Sequence, residues 1–157
     1  MSFIRRKAIE GIKVNDTFSI SRTFTEHDML QFADISGDYN PIHFDERFAN
    51  AKKLNRRICH GLLVASLITE IGGQIGWFAS EMSFHFRKPV YFGDTITCDF
   101  TITAIDERGH AKAEATFTNQ DQVTVLEGAI KGIMPGAEEK HIMNAMVAEG
   151  DPTNKRK

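Results

Sequence analysis

The chain has 157 residues, 41% of them hydrophobic, which suits one globular unit with a sizeable core and is short for two. A formal charge of -2 and a pI near 6.3 give nucleic-acid binding no compositional support. No stretch approaches the roughly 20 apolar residues of a membrane span, the basic MSFIRRK start lacks a leader-like apolar core, and Cys59 and Cys98 are too few for a disulfide framework. The expected setting is therefore cytoplasmic, with no membrane partner.

Residues 1–14 read as a lead-in. Residues 18–24 alternate apolar and polar side chains and predict a half-buried strand. Thr25 followed by Asp28 predicts a capped helix start, with Met29, Phe32 and Ala33 at helical spacing and Gly37 as the stop. The polar turn that follows carries Asp38 and His43, too far apart for adjacent helical turns and interrupted by Pro41. They meet only if the segment folds back. Asn40-Pro41 favours that, because Pro41 fixes its own φ, biases Asn40 towards extended geometry, and the Asn side chain closes local turns.

One or two helical turns over 45–50 and a charged connection over 51–57 come next. Gly61 then opens the run 62–71, apolar on nearly all sides, which predicts a central helix surrounded by other elements and ended by Gly72-Gly73. The glycine-rich stretch 72–76 lacks the lysine and hydroxyl of a phosphate loop and reads as a turn. From Glu81 onward the period is two: Phe84, Phe86 and Lys88 alternate with His85 and Arg87, residues 95–102 and 111–118 alternate cleanly, and 123–133 gives a last strand. Gly93-Asp94 and 106–109 supply turns. One buried helix followed by long antiparallel strands predicts an α+β class with the sheet wrapped around the helix. Residues 135–157 form a charged extension, with an expected helix over 137–148 through Ile142, Ala145 and Met146, ended by Gly150, and disorder over 151–157.

The run from Phe32-Ala33 through Ser36-Gly37-Asp38, Asn40-Pro41-Ile42-His43, with His60-Gly61-Leu62-Leu63 some twenty residues on and the later segment 83–94, resembles the MaoC-like (R)-specific enoyl-CoA hydratases, hydratase 2, of the hotdog-fold superfamily. The similarity covers about residues 15–133 and leaves the two ends outside. It implies one hotdog domain over 15–134 and a homodimer. It further implies reversible addition of water to trans-2-enoyl-CoA, giving (R)-3-hydroxyacyl-CoA, with no cofactor beyond the coenzyme A of the substrate itself.

That reaction requires a base for the water, an acid for Cα, and donors for charge developing on the thioester oxygen. His43 and Asp38 are the candidates for acid and base, in either assignment, with Asn40 orienting one of them. Gly61 offers a backbone N–H at a helix start and lets the thioester approach closely. By the same resemblance it is the oxyanion donor and Thr69 carries a hydroxyl near the site. Plainer roles stand beside these. Asp38 also suits a turn, His43 and His60 suit structural histidines, and Ser66 and Thr69 suit hydroxyls bonded to carbonyls one turn back. Cys59 and His60 are poor partners because adjacent extended residues point opposite ways. Arg87 and Lys88 are either solvated strand charges or holders of coenzyme A phosphates. No H-x-x-H, H-E-x-x-H or C-x-x-C spacing supports a metal site. The alternatives in play are a thioesterase using Glu70, and a non-catalytic acyl-CoA-binding or dimerisation module.

Overall fold

The computed structural model describes residues 2–154. A first helix α1 (Phe3–Glu10) leads into strand β1 (Thr17–Thr23), helix α2 (Glu26–Ser36) and two short helices, α3 (Pro41–Phe44) and α4 (Glu46–Ala51). Helices α5 (Gly61–Ala65) and α6 (Leu67–Ile75) follow, then strands β2 (Phe78–Phe86), β3 (Thr95–Ile105), β4 (His110–Thr118) and β5 (Thr124–Ile133), and helix α7 (Ala137–Ala148). The strands form one antiparallel sheet in the order β1-β3-β4-β5-β2. This is the α+β arrangement that the periodicity predicts. No helix among the described residues is long and apolar enough to cross a membrane.

The sheet buries one face through cross-strand complementarity. Phe100 pairs with Ala115 and Cys98 with Phe117, so across the strands a large side chain faces a small one. Leu67, Ile68, Ile71 and Ile75 of α6 are fully enclosed in the same core. Helix and sheet approach closely at Gly128, where a Cβ would stand 3.0 Å from Ile68 Cδ1.

Local chemistry sets the start of α2 as predicted. Thr25 accepts from the Asp28 amide and the Asp28 carboxylate accepts from the Thr25 amide, a complete capping box, while Gly37 ends the helix in the left-handed region. Thr25→Ala should lower unfolding free energy by about 1 kcal/mol, read as a shift of the urea midpoint at unchanged slope.

The structure departs from the sequence expectations at four places. The central helix bends at Ser66 into α5 and α6 and runs through Gly72-Gly73; it ends at Gly76, whose φ of 79° only glycine adopts cheaply. Burial of Gln74 and Ile75 outweighs the modest helix cost of two glycines. Strand β2 starts at Phe78 rather than Glu81, bulges between Ala79 and Glu81, and leaves most of both faces exposed. Helix α7 lies where expected but turns Met143 inward and leaves Ile142 exposed. The extension does not trail away at 151: Asp151 and Asn154 are buried, and Asn154 donates to the Ser2 hydroxyl at 3.1 Å. The rest of that expectation, residues 155–157, lies outside the described residues.

Candidate active site

The turn after α2 folds back through a ladder of local hydrogen bonds. The Asp38 amide donates to Ser36 Oγ at 3.2 Å, the Asn40 amide to Asp38 Oδ1 at 3.2 Å, and the Ile42 amide to Asn40 Oδ1 at 3.2 Å. Asn40 thus caps α3, with Pro41 at its first position. Its side chain works on the backbone of the turn rather than on either neighbour's side chain. The result places His43 Nε2 3.9 Å from Asp38 Oδ2.

His43 is 6% exposed, and its Nδ1 lies 2.8 Å from the Ile58 carbonyl. A carbonyl only accepts, so Nδ1 carries the hydrogen and Nε2 presents a lone pair towards Asp38. Burial lowers the basicity of His43; the Ile58 carbonyl and Asp38 oppose that effect, and the adjacent His60 adds to it. The neutral ring therefore persists below the ordinary histidine value.

His60 completes the cluster. It is 1% exposed, its ring stacks on His43 with centroids 3.7 Å apart and 29° between planes, and its Nε2 donates to the Asp38 backbone carbonyl at 2.8 Å. Phe32 packs against His60 at 5.0 Å between centroids. From residue type alone His60 reads as a structural histidine, and its place immediately before Gly61 is the one signal in the chain that points to the site.

These residues open onto a cavity of about 500 Å³ lined by Asp38, His43, His60 and Gly61 together with apolar side chains including Leu62, Val64 and Leu126. His60 takes the N-cap position of α5 without a side-chain bond to the helix, so the first-turn amides, Gly61 first, keep no intrahelical acceptor. A Cβ on residue 61 would meet Phe86 Cε1 at 2.5 Å. Arg87 and Lys88 line the same cavity, with Arg87 bonded to Glu127.

Other sequence candidates lie elsewhere. Ser66 Oγ donates to the Leu63 carbonyl at 2.6 Å and Thr69 Oγ1 to the Ser66 carbonyl at 2.7 Å, the carbonyl-bonded role typical of helix hydroxyls, and neither lines the cavity. Glu70 faces Arg22 at 2.6 Å, also away from it. Cys59 does line the cavity, but burial pushes its thiol up to about 12, which removes it as a nucleophile.

The Asp38, His43 and His60 ligand atoms lie within 4.8 Å of one another, close enough to raise the question of a cation. Stacked imidazoles point their in-plane lone pairs side by side instead of at one centre, and the His60 Nε2 hydrogen is committed to a carbonyl. The donor set does not suit a metal ion.

The family model described as MaoC like domain matches residues 11–125. The chain belongs to the MaoC-like family. It is 33% identical to the (R)-specific enoyl-CoA hydratase of Rhodospirillum rubrum over 80% of this chain and 90% of that protein. It is 31% identical to a mitochondrial 3-hydroxyacyl-[acyl-carrier-protein] dehydratase of Arabidopsis thaliana over 81% of this chain and 80% of that protein. Among solved structures, the (R)-hydratase from A. caviae involved in PHA biosynthesis superimposes with a TM-score of 0.75 at 29% identity, covering 80% of this chain and 99% of that one. The fold of this MaoC-like chain is accordingly the hotdog, with α5 and α6 as its central helix. It is an enzyme of the hydro-lyase class, as MaoC-like dehydratases are.

Proposed function

We propose that this MaoC-like enzyme adds water reversibly to a trans-2-enoyl-CoA to give the (R)-3-hydroxyacyl-CoA, using Asp38 and His43 on one water and the Gly61 amide on the thioester oxygen. The observation that carries this reading is the meeting of a carboxylate and an imidazole lone pair 3.9 Å apart at an apolar cavity. That separation is long for a direct hydrogen bond and suits two acceptors sharing one water at ordinary lengths. Water donates one hydrogen to Asp38 Oδ2 and the other to His43 Nε2. As its oxygen bonds to Cβ, Nε2 takes the proton, negative charge moves through Cα to the thioester oxygen, and the Gly61 N–H receives that charge. The proton on Nε2 then passes to Cα and restores the resting tautomer. Water adds whole, with no net oxidation or reduction, so the cycle calls for no redox cofactor.

The apolar walls accept an acyl chain, and Arg87 and Lys88 at the cavity suit the phosphates of coenzyme A. A homodimer is the proposed working unit: β2 is a sheet edge with Phe78, Met82 and Phe86 at 77%, 40% and 57% exposure, a surface that pairing with a second copy covers. Sedimentation showing a single-chain mass at micromolar concentration would overturn the dimer. The Glu70 ion pair argues against the thioesterase reading.

Loss of enoyl-thioester absorbance with crotonyl-CoA and longer homologues tests the activity, with chiral analysis of the product and a thiol reagent present. Hydration to the (R) product without thiol release is expected; inactivity on the whole panel, or thiol release, defeats the proposal. The same assay carries a pH prediction. Since burial disfavours protonated His43 and the base form is the one that works, the acid limb of kcat/KM should fall below the ordinary histidine value of 6.5. A limb above that value contradicts it.

A further inference from the structure

We propose that His60 is a positioning residue that fixes His43 and Asp38 relative to each other, so that the two act on one water only while His60 holds both. The inference rests on the hydration reading above. Three contacts carry it. The His60 ring stacks on the His43 ring with centroids 3.7 Å apart, its Nε2–H holds the Asp38 backbone carbonyl at 2.8 Å, and the same Nε2 stands 3.8 Å from the Asp38 carboxylate. Its own backbone ends at the amide of Gly61. Its side chain thus touches the imidazole and the carboxylate-bearing residue, and its own carbonyl carbon is bonded to the Gly61 nitrogen.

The hydrogen-bond pattern gives the two histidines opposite tautomers. His43 bonds a carbonyl through Nδ1 and frees Nε2, whereas His60 bonds a carbonyl through Nε2 and turns Nδ1 into a buried position without a partner among the described residues. The Nε2 bond and the stack set the ring's orientation, and this leaves Nδ1 buried and unpaired. The His60 side chain holds its neighbours without entering the proton transfer. The groups facing His43 are Asp38 from the preceding turn and His60 from the lead into α5. Around the shared cavity stand Cys59, Arg87 and Lys88. Of these, His60 is the one in ring contact with His43.

Two variants separate the contacts. His60→Phe keeps a ring for the stack and loses the donor; His60→Gln keeps a donor and loses the stack. Each should lower kcat for crotonyl-CoA hydration about tenfold to a hundredfold with KM within about twofold, as expected when reacting groups are held slightly out of place. Folded variants with wild-type kcat overturn the proposal. Nitrogen-15 NMR of the wild-type histidine rings gives an independent answer if a variant does not fold: an Nε2–H tautomer at His60 and an Nδ1–H tautomer at His43 are expected, and Nδ1–H at His60 overturns it. Wild-type inactivity in the same assay would instead sink the hydration reading, so the two failures are distinguishable.

Discussion

His43→Gln should lower kcat for enoyl-thioester hydration by roughly 100- to 10,000-fold, the contribution of a positioned acid–base group. Glutamine retains a donor for the Ile58 carbonyl only by reaching differently, and it has no lone pair of imidazole basicity to offer at the Nε2 position. Asp38→Asn should lose a comparable factor, because an amide presents a donor where the carboxylate accepts from water. KM should change little in both, since apolar walls such as Leu62 and Leu126 bind the acyl chain. If the two groups share one water, the double variant falls no further than the worse single one, the non-additivity of residues that act as a unit. Wild-type turnover in either single variant, followed by enoyl absorbance, excludes the mechanism.

Phe100→Ala should destabilise the fold by about 3–5 kcal/mol, the usual cost of removing a buried phenylalanine. Phe100 is fully enclosed at the centre of β3, opposite Ala115, with Trp77 edge-on at 5.7 Å. Ala115 is too small to fill the space left, so the lost contacts are not recovered by its neighbours. Against a total of about 5–15 kcal/mol for an ordinary domain, this is a large fraction. Trp77 is the single tryptophan, so its fluorescence in urea reports the transition and, before it, the altered packing around the ring. A midpoint within experimental scatter of the wild type would show that the sheet closes over the gap.

Where a feature depends on a few neighbouring residues, the sequence carries it. The Thr25–Asp28 box, the Gly37 stop and the fold-back at Asn40-Pro41 are closed by side chains reaching two or three positions, so residue identity and spacing decide them. The end of the central helix is different. Gly72-Gly73 looks like a stop because each glycine weakens a helix modestly, but Ile71, Gln74 and Ile75 are packed into the core and hold the chain helical to Gly76. Likewise α7 turns on which side meets the rest of the molecule, which its own pattern of Ile142, Met143 and Met146 leaves open. Helix α1 was hidden in a basic lead-in because its buried positions include Arg5, a residue that patterning assigns to water. At the site, Asp38 and His43 stand out by type. The role of His60 needs three dimensions, since it comes from a ring stack and a carbonyl contact across 17 and 22 positions of chain.

Phe86 ends β2 against Gly61, and β2 is also one of the two edges of the sheet. The same strand therefore lines the cavity and forms the border where the proposed second copy would join. In a dimer built on that border, dilution does more than separate subunits: it uncovers the outer side of that strand and loosens Phe86. Specific activity would then fall as enzyme concentration drops, and turnover itself would become a gauge of assembly.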